Sequence, residues 1–146
     1  MNFALSFRKT PKVKKGFSLV EISIVIAIMA IAALVAIPGM LSYMRKAKFS
    51  TTQQTLETTK TAIMSYYGDT GDYPKTLEDL IEKPADVPSR KWHGPYFEKA
   101  KLPKDGWNHE LEYNLTSKGA HPYELYSWGP NGVDSSEDNI SVWELD

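Results

Sequence analysis

Three groups of residues carry chemistry that packing alone does not need. Glu21 is the only charged side chain between Phe17 and Met44, and residues 22–44 are uncharged throughout. About 20 consecutive apolar residues span a bilayer, and a carboxylate at that depth costs roughly 2.5–3.5 kcal/mol even on the lenient insertion scale. Glu21 therefore needs a counter-ion. A cut between Gly16 and Phe17 would free an α-amine four residues before it, and such an amine can also come from a neighbouring chain. The second group is the loop Gly129-Pro130-Asn131-Gly132-Val133-Asp134-Ser135-Ser136-Glu137-Asp138-Asn139. It concentrates hard oxygen donors, which suit Ca²⁺, but it lacks the glycine and the terminal bidentate glutamate of an EF-hand, so a solvated acidic turn is the plainer reading. The third group, His93, His109 and His121, is scattered. None belongs to an H-E-x-x-H or comparable motif, and there is no cysteine nucleophile, G-x-S-x-G elbow or phosphate-binding glycine loop, so the chain reads as no enzyme.

Charge and hydropathy say which elements must position these groups. The 146 residues carry 17 Lys and Arg against 18 Asp and Glu. Five of the bases, Arg8, Lys9, Lys12, Lys14 and Lys15, precede Gly16 with no acid among them, leaving twelve against eighteen beyond it. An acidic remainder argues against a nucleic-acid partner. A basic head tends to stay cytoplasmic, which puts the bulk of the chain outside the cytoplasm. The absence of cysteine excludes disulfides and thiolate metal sites. An ordinary secretory signal fits poorly, because its apolar region spans only about 7–15 residues and Ala36-Ile37-Pro38-Gly39 offers no clean small-x-small exit. A plain anchor has no reason to keep Glu21.

Pro38 and Gly39 interrupt the apolar run, either as a kink in an anchor or as a point where the helix melts as subunits pack. Beyond Met44 the helix continues as an amphipathic rod. Phe49, Leu56 and Ile63 recur every seven residues and Tyr66 and Tyr67 extend the stripe, which is expected to pack on the protein's own C-terminal part. The turn residues from Gly68 to Pro74 predict a stop near Tyr67. Thr76-Leu77-Glu78-Asp79-Leu80-Ile81 predicts a short second helix capped by Thr76. Trp92, Tyr96 and Phe97 lie in a proline-rich loop, and large rings there imply that it is pinned to a core. Leu111, Tyr113 and Leu115 alternate with polar residues, as does the stretch from Tyr123 to Trp128. The turn Ser117-Lys118-Gly119-Ala120-His121-Pro122 between them predicts a hairpin, and Ser141 to Leu145 a short third strand.

Lys14-Lys15-Gly16-Phe17-Ser18-Leu19-Val20-Glu21 resembles the class III signal of type IV pilins and type II secretion pseudopilins. Tyr73-Pro74, Gly94-Pro95-Tyr96, Leu102-Pro103-Lys104-Asp105, Leu125-Tyr126-Ser127 and Trp143 fall in the order typical of the G-type major pseudopilin. The chain departs from that pattern at Gly106-Trp107-Asn108-His109-Glu110, where the family usually has Pro-Trp-Gly-Asn-Pro, and it cannot form the cysteine-bounded loop of ordinary pilins.

The resemblance implies an α+β, pilin-like fold with a long N-terminal helix packed on a small antiparallel sheet. Residues 1–16 would be a cleaved leader, 17–44 a membrane and filament-core helix, 45–67 its amphipathic continuation and 68–146 a small periplasmic domain. It further implies cleavage by a prepilin peptidase after Gly16, methylation of Phe17 and pairing of Glu21 with the amine of an adjacent subunit. One Ca²⁺ would sit in the acidic loop, by position on Asn131, Glu137 and Asp138 with carbonyls of Trp128 and Val133; the family usually has an aspartate at Asn131. The implied function is a subunit of a periplasmic pseudopilus driving type II secretion. Its implied partners are further copies of itself, minor pseudopilins, the inner-membrane assembly platform with its ATPase, and the outer-membrane secretin. The implied location is a single-pass inner-membrane protein. The alternatives are a type IV pilus or DNA-uptake pseudopilus subunit and, from another class, a membrane-anchored calcium-binding module.

Overall fold

A computed structural model describes residues 16–117, 119–134 and 137–145. Residues 1–15, over which a leader is expected, and Lys118, Ser135, Ser136 and Asp146 lie outside the described residues. The chain divides into two compact units, one through Met40 and one from Leu41 onward.

The dominant element is the helix α1 (Leu19–Thr70), which is helical through Pro38 and Gly39. Its N-terminal part is the one helix among the described residues apolar and long enough to cross a membrane. Ile22, Ile28, Leu34 and Met40, which point to different sides of the helix, are all exposed, so the described chain leaves this segment uncovered all round. In the second unit the helix buries one face, which keeps Leu56, Ile63 and Tyr66 of the predicted stripe but leaves out Phe49 and Tyr67. The buried positions are Thr52, Leu56, Thr59, Ala62, Ile63, Tyr66 and Thr70, whereas Phe49 stays 43% exposed and Tyr67 39%. Three threonines complete the stripe because each hides its hydroxyl inside the helix. Thr52, Thr59 and Thr70 donate to the carbonyls of Lys48, Thr55 and Tyr66 at 2.9, 2.8 and 2.8 Å.

The helix also ends three residues later than its turn residues suggest. Gly68 is helical, and the stop comes at Gly71, which takes a left-handed φ of 89° and donates to the Tyr67 carbonyl at 2.8 Å. The expected second helix is a single 3₁₀ turn, Leu77–Leu80. The Asp79 carboxylate accepts the backbone N–H groups of Lys75 and Thr76 at 2.8 and 3.2 Å, which fixes its entry.

The sheet has three antiparallel strands in the order β1 (Glu112–Leu115), β2 (Tyr123–Ser127) and β3 (Ile140–Ser141). Tyr113 opposes Leu125 and Ser127 opposes Ile140. The third strand is shorter than the predicted stretch from Ser141 to Leu145. The Ser141 hydroxyl accepts the Trp143 N–H at 3.3 Å and turns the chain into a 3₁₀ segment (Val142–Glu144). That turn lets the Trp143 indole donate to the Tyr123 carbonyl at 3.0 Å. The buried face of α1 meets Tyr123, Leu125 and Ile140 of the sheet, Val142 and Leu80 of two 3₁₀ turns and Phe97 of the connecting loop in one core. That loop is pinned as its rings suggest: the Trp92 indole donates to the Asp79 carbonyl at 3.2 Å, and Tyr96 donates its backbone N–H to Leu80 and its hydroxyl to Asp69.

Candidate functional site: a capped carboxylate and a tethered acidic loop

The first site is the start of α1. Gly16, Phe17 and Ser18 are irregular and exposed, and Phe17 projects its ring with 82% of its surface free. Glu21 stands in the first helical turn. The backbone N–H of Ser18 donates to Glu21 Oε2 at 3.2 Å, and the N–H of Val20 reaches Ser18 Oγ at 3.4 Å. Ser18-Leu19-Val20-Glu21 is thus a capping box, an arrangement that satisfies N–H groups with no partner inside the helix. The S-x-x-E spacing before an apolar run is visible in the sequence. It gives Glu21 a local role that the search for a counter-ion passes over. A carboxylate offers about four acceptor sites on its two oxygens, so this bond leaves room for an external cation, and the N-terminal end of the helix macrodipole favours negative charge there.

The second site is the acidic loop. It opens with a 3₁₀ turn, Gly129–Asn131, and closes through Gly132, which is left-handed at φ 63°. Gly129 has φ 69°, and a Cβ there would fall 2.3 Å from the Asp138 carbonyl oxygen, so the two arms of the loop approach as only glycine permits. The Asn131 side-chain amide faces the Asp138 carboxylate in a hydrogen bond, and Asn139 donates to Asp134 Oδ1 at 2.8 Å. Glu137 and Val133 are exposed and Trp128 is half-buried. The donor set from both arms is hard oxygen, the chemistry Ca²⁺ takes. Only Asn131 and Asp138 of the expected side-chain ligands are brought into direct contact. Among the described residues, no three His, Asp or Glu side chains gather around one point.

The loop is anchored by a residue whose importance the sequence does not announce. The Asp105 side chain is fully buried, and its Oδ1 accepts the backbone N–H groups of Trp107 and His109 at 2.9 and 2.8 Å. Its Oδ2 accepts the Ser127 hydroxyl at 2.6 Å, and Ser127 Oγ in turn accepts the Gly129 N–H at 3.0 Å. On the other side, the Gly106 N–H donates to Thr52 Oγ1 on α1 at 2.9 Å, and a Cβ on Gly106 would collide with the Lys48 carbonyl at 2.1 Å. A continuous polar path therefore runs from α1 through Asp105 and Ser127 to the first turn of the acidic loop. The histidine ring of residue 109 fills the remaining space beside Gly132.

The three histidines fall at separate places. His93 Nδ1 lies 3.3 Å from Asp69, His109 Nδ1 lies 3.4 Å from Asp105, and His121 stacks on Trp143 with ring centroids 4.0 Å apart.

This architecture defines a pilin-like protein. It is similar to the crystal structure of the major pseudopilin from the type 2 secretion system of enterohaemorrhagic Escherichia coli, with a TM-score of 0.62 and 25% identity over 73% of this chain and 91% of that one. A family described as type II secretion system protein G matches residues 39–143, and the prokaryotic N-terminal methylation motif matches residues 11–37. Type II secretion system core protein G of Pseudomonas aeruginosa is 33% identical, over 90% of this chain and 96% of its own length. The same protein of Escherichia coli K12 is 32% identical, over 94% of this chain and 96% of its own length. The chain belongs to the protein G family of the type II secretion system.

Proposed function

We propose that the chain is a structural subunit, cut between Gly16 and Phe17 and methylated on the new Phe17 amine, that polymerises into a periplasmic pseudopilus. The observation that carries this reading is Glu21: the one charge of an apolar helix, standing in its first turn beside a matched methylation motif. Helices with uncovered apolar faces leave lipid most readily for one another, and the second valence of Glu21 is suited to the Phe17 amine of an adjacent subunit. That pair offsets the cost of two charges away from water while setting the stagger between copies. Membership in the secretion system implies assembly with its other components. We assign these as the prepilin peptidase, minor pseudopilins, the inner-membrane platform with its ATPase, and the outer-membrane secretin. The reading places the first part of α1 in the inner membrane, the second unit in the periplasm, and no catalysis in the chain.

The test compares intact masses of the membrane-bound protein from cells with and without the peptidase, together with filament formation by Glu21→Ala. Loss of everything through Gly16 with the gain of one methyl group, and no filaments from Glu21→Ala, is the expected result. An unprocessed N-terminus would leave an anchored module in place of a filament subunit.

We further propose that the acidic loop holds one Ca²⁺ through Asn131, Glu137 and Asp138 with carbonyls of Trp128 and Val133. Hard oxygen on both arms and the close approach at Gly129 support it. The ion would replace the Asn131–Asp138 contact as the tie between the arms. A thermal midpoint that rises with added Ca²⁺ and falls with a chelator is expected, and a midpoint indifferent to both would remove the ion from the account.

A further inference from the structure

The second unit carries an unfilled groove of about 320 Å³ between α1 and the C-terminal arm. Its floor is Phe49, Trp107, Ile140 and Leu145, and its rim holds Glu137, Asp138 and Glu144. Arg45 is its one cationic side chain, and among the described residues it makes no ion pair with those acids. From Gly119 to the end the sequence has six acids, Glu124, Asp134, Glu137, Asp138, Glu144 and Asp146, and no Lys or Arg. With Glu137 and Asp138 taken up by the proposed Ca²⁺, Glu144 remains a bare acid beside the apolar lining, and that pairing selects a ligand that is aromatic or aliphatic at its centre and cationic at its edge.

The same chain offers one such surface. Residues 22–56 hold Arg45, Lys46 and Lys48 and no acid. Tyr43, Lys46 and Ser50 recur at helical spacing on one exposed face of α1, with Tyr43 76% exposed. In another basic and aromatic stretch, Arg90-Lys91-Trp92, two of the three side chains are already engaged: Lys91 donates to the Thr70 carbonyl and Trp92 to the Asp79 carbonyl. The Tyr43 face and the groove adjoin on one helix, with Phe49 and Gln53 on the border between them. A chain therefore cannot dock its own patch into its own groove, whereas a row of copies can do so without end. Two different patches meeting head to tail generate open helical assemblies when the rotation does not close.

We propose that the groove beside Glu144 receives the Tyr43 and Lys46 face of a second copy of this chain. The proposal rests on the filament reading and names the surface by which neighbouring subunits meet outside the membrane.

Because the chain has no cysteine, introduced cysteines report the contact unambiguously. The full chain carrying Lys46→Cys and Glu144→Cys is expressed in cells that process it and treated with a short bismaleimide. A ladder of covalent multimers from the double variant, with neither single variant going beyond a dimer, is the expected result. In parallel, Lys46→Glu should lower filament yield at least about tenfold by setting like charges against each other, and adding Glu144→Lys to the same chain should restore it, with the melting midpoint of the second unit unchanged in both. Filaments from a double-cysteine chain that stays monomeric under the cross-linker would overturn the surface and leave the filament reading standing. Failure of the unsubstituted chain to form filaments would overturn both.

Discussion

Glu21 accepts the backbone N–H of Ser18 at 3.2 Å, so the carboxylate proposed to meet a neighbour's amine already caps its own helix. The two roles ask for different chemistry. Capping needs only an acceptor oxygen, which glutamine supplies equally in the S/T-x-x-E/Q pattern, while pairing with an ammonium needs charge. Glu21→Gln should therefore keep helix content by circular dichroism in detergent and insert into membranes at least as well, since it replaces a charge by a neutral amide. Filaments counted by electron microscopy should be lost. Normal filaments from Glu21→Gln would reduce the carboxylate to a helix cap.

Asp105 is predicted to be the most sensitive polar residue of the second unit. Its buried carboxylate accepts two backbone N–H groups and the Ser127 hydroxyl, and truncation would strand all three donors away from water. Asp105→Ala should cost about 3 kcal/mol or more, since each buried donor left unmade costs roughly 1–3 kcal/mol. Such a loss would appear as a fall in melting midpoint on the order of 10 °C. Ser127→Ala should cost less, about 1–2 kcal/mol, because it frees only the Gly129 N–H and one acceptor site on Asp105.

Two buried threonines on α1 should respond unequally to the same substitution. Thr59 spends its hydroxyl on the Thr55 carbonyl, which already sits in a helix. Thr52 also accepts the Gly106 N–H at 2.9 Å. Valine keeps the shape and the β-branch, so Thr59→Val should change stability by less than about 0.5 kcal/mol, with either sign possible for an internal back-bond. Thr52→Val should cost roughly 1–2 kcal/mol by leaving the Gly106 donor unmet. Equal urea midpoints for the two variants would mean that the contact to Gly106 contributes nothing.

Those threonines mark where the sequence stops being legible. Apolar spacing locates the helix, the hairpin and the pinned aromatic loop because each depends on a local pattern: Leu56 and Ile63 at seven-residue spacing, Leu111 and Tyr113 in alternation, and Trp92 and Tyr96 beside prolines. It finds Leu56, Ile63 and Tyr66 of the buried face but misses its threonines, because a hydropathy reading scores Thr52, Thr59 and Thr70 as surface while their hydroxyls bond within the helix. It passes over Asp105 and Gly106, whose respective partners Ser127 and Thr52 lie far away in sequence and meet them only in the fold. It reads Gly68 as a stop, although an exposed glycine costs a helix only about 1 kcal/mol and the left-handed position that ends α1 is Gly71. For the proposed assembly site, Ser18 and Glu21 stand at capping-box spacing in plain view.

Tyrosines set the alkaline limit of the second unit. Burial pushes the Tyr123 hydroxyl up from 10.0 to about 12, reinforced by Tyr73 and Glu57, and burial together with the hydrogen bond to Asp69 pushes Tyr96 up to about 12. Tyr113 moves the same way, chiefly by burial. A group whose pKa is higher folded than unfolded holds its proton better in the native state. Its contribution is complete below the unfolded value near 10 and is lost as pH rises through the folded value near 12. The melting midpoint should thus be insensitive to these groups up to about pH 10 and fall steeply above it. Tyr123→Phe is the sharper test, because the Tyr123 hydroxyl is buried without a hydrogen-bond partner among the described residues. Removing it should leave stability at neutral pH unchanged or raised, by up to about 1 kcal/mol, and should flatten part of the alkaline fall. A Tyr123→Phe chain that melts earlier at neutral pH would mean that the hydroxyl has a partner worth keeping.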